Sequence, residues 1–168
     1  MNKKTLEFIN DLFEKNPIEC NYILQQNYPF SLEPEDMDDE KFDKLEKEAE
    51  ATIIDVVNNN VYIKQKDVQK RNTLCNFLII CNKLARRSWA KIQIILDDKS
   101  DSCIVTLTSD TFALGMRECS YLHNVCLAAS SISMFSTPEP SYETSIMITY
   151  DLSKADSNIL ERLTSILE

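Results

Sequence analysis

From Ala90 to Gly115 apolar and polar positions alternate in two runs separated by a short charged stretch, AKIQIILDDKSDSCIVTLTSDTFALG. In the first run Ile92, Ile94 and Leu96 fall on one side, and Lys91, Gln93, Ile95 and Asp97 on the other. In the second, Cys103, Val105 and Leu107 alternate with Ile104, Thr106 and Thr108. A period of two, rich in β-branched residues, predicts two half-buried strands. Asp98, Lys99, Ser100 and Asp101 form the turn of a hairpin, because Asp and Ser side chains bond nearby backbone amides. A third run, Thr144 to Tyr150, sets Ile146, Ile148 and Tyr150 against Met147 and Thr149 and predicts a third strand.

Elsewhere the apolar spacing is helical. Leu6, Ile9, Leu12 and Phe13 predict a helix from about Thr5 to Lys15, stopped by Asn16 and Pro17. The same dipeptide can open a second helix, with Asn16 as N-cap, Pro17 at the first position and Glu19 at the capping-box spacing; it would carry Ile18, Tyr22 and Ile23 and end before Pro29. Phe42, Leu45, Ala49, Ile53 and Val56 recur at steps of three and four and predict a helix running to about Asn58. The β-branched residues allow an alternative, a hairpin of Thr52 to Val57 with Val61 to Gln65. Leu74, Phe77, Leu78, Cys81, Leu84 and Ala85, backed by Ile79 and Ile80, predict a central helix that is apolar nearly all round.

After Gly115 the run MRECSYLHNVCLAASSISMF reads as one long helix with Leu122, Val125 and Ala129 on a face. Gly115, the only glycine, suits a chain reversal at positive φ before it. Pro138 and Pro140 mark the next loop. Ser153 and Asp156 cap a last helix carrying Ile159, Leu163 and Ile166.

These elements predict one α+β domain over residues 1–168. A mainly helical portion, 1–88, packs on a small antiparallel three-stranded sheet in a β-β-α-β-α portion, 89–168. A right-handed crossover would set the third strand beside the first, leaving the first strand central and the second an edge. One sheet face then takes the two C-terminal helices, and the face with Ile95, Ile104 and Met147 takes the N-terminal helices or a partner.

The chain has 168 residues, 43% of them apolar, enough for one sizeable core. Its net charge of −9 disfavours unspecific attraction to nucleic acid and anionic membranes. No apolar run approaches a membrane span, and the N-terminal stretch lacks a signal-peptide pattern, which predicts a cytoplasmic protein. A single glycine leaves no room for a phosphate-cradling loop or a dinucleotide fingerprint, so no cofactor is implied. Six cysteines without a CxxC read as reduced, small hydrophobes.

Charge is unevenly distributed. Glu33 to Glu50 holds ten acids against Lys41, Lys44 and Lys47, and Lys64 to Lys91 holds eight bases against Asp67. Lys64, Lys66, Lys70, Arg71, Arg86 and Arg87, with Tyr62, Phe77 and Trp89 nearby, are the candidate nucleic-acid contacts. At 100° per residue these bases do not form one stripe. Segments of −7 and +7 are instead expected to neutralise each other, which makes nucleic acid an unfavoured partner.

Cys119, His123 and Cys126 share a helix face and carry zinc-type ligands, but a seven-residue span is about 10 Å along a helix, too long to close on one ion. A thiol nucleophile beside His123 would need a depressed pKa and an oxyanion site that no motif supplies. The function read from the chain is therefore non-enzymatic protein–protein binding of a regulatory, adaptor or immunity type. Nucleic-acid regulation is the alternative, and a metal or thiol enzyme around His123 is the third reading. The candidate docking residues are Cys103, Val105, Thr106 and Thr108, on the expected edge strand, which could accept a basic partner or a second copy.

Overall fold

The computed structural model describes residues 20–28, 39–97, 102–111, 114–125, 129–137 and 143–152. The strands are β1 (Cys20–Asn27), β2 (Lys91–Asp97), β3 (Ser102–Ser109), β4 (Ala129–Ser136) and β5 (Thr144–Asp151). The helices are α1 (Asp39–Asn59), the short α2 (Val61–Lys64), α3 (Val68–Arg87) and α4 (Met116–Val125). The sheet order is β1-β2-β3-β5-β4, with every neighbouring pair antiparallel.

The fold is α+β, but the expected three-stranded sheet is corrected to five strands. The β2–β3 hairpin forms in the register that pairs Ile94 with Val105. Residues expected to form a helix around Tyr22 and Ile23 form β1 instead, because Cys20–Asn27 finds a ladder along the open side of β2. The helix expected to run through Phe135 stops at Val125, and Ala129–Ser136 becomes β4, paired with β5. The first strand of the hairpin is flanked by β1 and β3, and the third expected strand, β5, lies beside β3 rather than beside it. β3 and β4 each run antiparallel to β5 and so parallel to each other; the β3–α4–β4 crossover spans β5, a split β-α-β unit displaced by one strand from the expected one. The helix expected from Thr5, the turn at Asp98 to Asp101 and the helix expected after Ser153 lie outside the described residues.

The core lies on the face bearing Ile92, Ile94, Leu96, Cys103, Val105, Leu107, Ile146, Ile148 and Tyr150, all buried. It is covered by the N-terminal helices α1 and α3, which were expected on the other face, and it also takes Leu122 of the C-terminal helix α4, as expected. Phe77 of α3 stacks on Tyr150 of β5, with ring centroids 4.9 Å apart. α1 lies against α3 and reaches β1, burying Phe42, Ala49, Ile53 and Val57 on one stripe, as its sequence period requires. The chain leaves α1 through Asn60, whose side chain accepts the Ile63 amide, so the Thr52 to Gln65 hairpin does not form. Asp67 caps α3 by accepting the Lys70 amide at 2.8 Å.

The far end of α3 closes in a Schellman motif: the Ala90 amide donates to the Ala85 carbonyl and the Trp89 amide to that of Arg86. Trp89 takes the left-handed position at φ 45°, where glycine is usual. The Ser109 and Thr111 hydroxyls donate to the Ser88 carbonyl beside it. Gly115 does not have positive φ, contrary to the role expected for it. It instead caps α4, its amide donating to the Glu118 carboxylate at 2.9 Å while its carbonyl accepts from Cys119.

Candidate interaction surface

The acidic and basic segments meet where α1 packs on α3. Arg86 donates from Nη2 to Asp43 Oδ1 at 2.6 Å, and its Nε lies 3.0 Å from Glu46 Oε2. That second contact is out of line for a hydrogen bond, so it is Coulombic. Lys83 lies 3.6 Å from Glu50 one turn earlier. Beneath the pairs, the buried Asn82 amide donates to the Glu46 carbonyl and its oxygen accepts from the Tyr28 phenol. Burial pushes the Tyr28 phenol well above its ordinary range, outweighing the Asn82 bond that pulls the other way.

One of the proposed nucleic-acid contacts is thereby engaged within the protein. Arg86 is committed to α1. Lys64 and Arg87 are exposed near opposite ends of the α2–α3 segment, while Lys66, Lys70 and Arg71 are half-buried near its start. Phe77 is buried in the core and offers no stacking face.

Of the proposed metal or thiol centre, Cys119 is a half-buried free thiol on α4, His123 lies four residues further along the same helix, and Cys126 lies outside the described residues. Among the described residues no three His, Cys, Asp or Glu side chains are grouped to hold a metal ion. Burial raises the Cys75 thiol above its ordinary value, which disfavours the thiolate. Glu118, one residue before Cys119, is engaged in capping α4.

The proposed docking strand is corrected. Cys103, Val105 and Thr106 are buried, Thr108 bonds Ser145 across the sheet at 3.2 Å, and β3 is paired with β2 on one side and β5 on the other. A strand with both ladders filled cannot accept another. The edges among the described strands are β1 and β4.

These edges differ. At β1, Leu24 is buried, α1 covers the inner side, and Gln25 and Asn27 project polar amides from the outer side. At β4, ASSISMFS contains no ionisable residue and no proline, the devices that usually blunt an edge. Its inner residues, Ile132 and Met134, pack against the core yet stay only partly buried. A register shift between Ala129 and Ser131 places a bulge at its start, leaving Ser131 to Ser136 in regular pairing with β5. Thr137 and Glu143 close the β4–β5 connection with reciprocal hydrogen bonds. Ser131 and Ser133 alternating with Ile132 and Met134 was the signal for this strand, and the apolar helical spacing upstream obscured it.

No known family model matches the chain, and no curated protein matches it. Among the described residues no helix is long and apolar enough to cross a membrane.

Proposed function

We propose that this chain is a non-enzymatic protein-binding module and that its docking element is the outer edge of β4. The observation that carries this reading is an edge strand of eight residues without a charge or proline, bordered by half-buried Ile132 and Met134. Such an edge offers unpaired amides and carbonyls for strand addition, with the alternating side chains supplying specificity. The exposed acids of α1, Glu40, Asp43, Glu48 and Asp55, with the net charge of −9, favour a basic partner and speed its approach. Cys75, Cys81, Cys103 and Cys119 are not joined in disulfides, which suits a reducing, cytoplasmic setting. Nucleic-acid binding is the weaker reading, because Arg86 and Lys83 are paired with α1 carboxylates.

The test is affinity capture from native extract with the full chain and with Ser131→Lys, a change at an exposed edge position. A specific protein retained by the natural chain and lost from the variant supports the reading. A partner held equally by both places the interface elsewhere, and the acidic face of α1 is then the surface to mutate.

A further inference from the structure

We infer that the free protein covers its β4 edge with β4 of a second copy, forming a two-fold dimer with one continuous sheet. This rests on β4 as the docking edge but commits to an occupant. An uncharged edge that no described strand pairs is an open-ended aggregation template, and closed pairing about a two-fold axis removes it.

In an antiparallel pair directly opposite residues share a sheet face, so a two-fold axis must pass through a residue position. Ser133 and Met134 are the two central residues of the regular stretch that follows the bulge, and the axis is placed at Ser133. With the axis there, Ile132 of each copy faces Met134 of the other, Ser131 faces Phe135, and Ser133 faces itself. The inner pair joins the two cores at the place where each leaves Ile132 and Met134 partly buried. On the outer face each Phe135 meets the small, exposed Ser131. Moving the axis to Ile132 would draw the bulge into the ladder, and moving it to Met134 would set Ile132 against Ser136. β1 offers no equivalent, since α1 already covers its inner side and Leu24 is buried.

Charge does not oppose this seam. Each copy carries −9, but Ala129–Ser136 has no ionisable group, and at physiological salt repulsion between charges beyond about 8 Å is largely screened. Added salt should therefore strengthen the dimer, the opposite of its effect on a complex with a basic partner.

Sedimentation equilibrium of the full chain is expected to show a dimer in the micromolar range that tightens as salt is raised. Ser133→Lys, which sets two ammonium groups opposite each other, should weaken it about fivefold or more. Ser131→Lys should weaken it less, and unchanged circular dichroism of both variants would show that they are folded. Ser133→Cys should give, under mild oxidation, a disulfide joining the two substituted positions in mass spectra. A natural chain that stays monomeric overturns the self-pairing, and so does a dimer indifferent to both lysines with no link at position 133. Neither result disturbs the protein-binding reading, whose assignment to the β4 edge fails only if a captured partner ignores Ser131→Lys.

Discussion

The Tyr28 phenol donates to Asn82 Oδ1 at 2.7 Å, joining the end of β1 to the middle of α3 across 54 positions of sequence. Both residues are fully buried, and Asn82 passes the connection to α1 through the Glu46 carbonyl. Tyr28→Phe removes the donor and leaves a buried acceptor, so it should destabilise the chain by about 1–2 kcal/mol in urea unfolding. Tyr28→Phe and Asn82→Ala should be strongly non-additive in a double-mutant cycle.

The same phenol gives an alkaline signature. Its folded pKa is raised, so below the unfolded value of about 10 both states are protonated and its contribution is intact. Above about 10 the unfolded state loses a proton that the folded state retains, and stability falls by up to about 1.4 kcal/mol per pH unit. The difference in stability between the natural chain and Tyr28→Phe, measured from pH 8 to 11 by about half-unit steps, should shrink as pH rises. A constant difference would contradict the raised pKa.

Trp89 occupies a conformation that costs residues with a Cβ about 1 kcal/mol or more. Comparing Trp89→Gly with Trp89→Ala separates backbone from packing, because both lose the ring and only alanine retains the strain. The glycine variant should be the more stable by about 1 kcal/mol in thermal or urea unfolding.

At Gly115 the expectation is reversed. A Cβ there would meet only Glu118 Oε2, at 3.9 Å, and no positive φ is needed. Gly115→Ser should therefore be neutral or stabilising by a few tenths of a kcal/mol through N-capping, whereas Glu118→Ala should cost about 0.5–1 kcal/mol. Melting temperatures of the two variants decide this.

Arg86 and Arg87 are neighbours with different environments. Arg86 spans Asp43 and Glu46, so Arg86→Ala should cost about 1–2 kcal/mol, while Arg87→Ala, at an exposed position, should stay within about 0.5. Equal effects in chemical denaturation would show that the α1–α3 pairing contributes nothing.

What the sequence disclosed follows from how local each signal is. The β2–β3 hairpin, α1, the middle of α3 and β5 carry their own periods over seven or more residues, and the opposed charges of the two helical segments anticipated their contact. β1 and β4 depend on a partner far along the chain. Tyr22 and Ile23 suit a strand, but the Asn16, Pro17 and Glu19 spacing gave a helix reading that only the ladder to β2 overrules. Ala129 and Ile132 extend the helical spacing of Leu122 and Val125, and serine is nearly indifferent, so pairing with β5 decides the outcome. Misplacing β4 also misplaced the edge, and with it the docking residues drawn from β3.

The split crossover imposes an order on assembly. β3 and β4 are both complete before the strand that separates them has been synthesised, because β5 follows β4 in the chain and sits between the two. A nascent chain that ends before Thr144 has neither the native neighbour of β4 nor the outer neighbour of β3. Two uncharged strands then wait on the ribosome with unfilled ladders until residues 144–151 emerge, and insertion of that one segment completes both at once. The last eight sheet residues among those described thus close the sheet from within, and the interval before they arrive is when this chain is most exposed to pairing with the wrong strand.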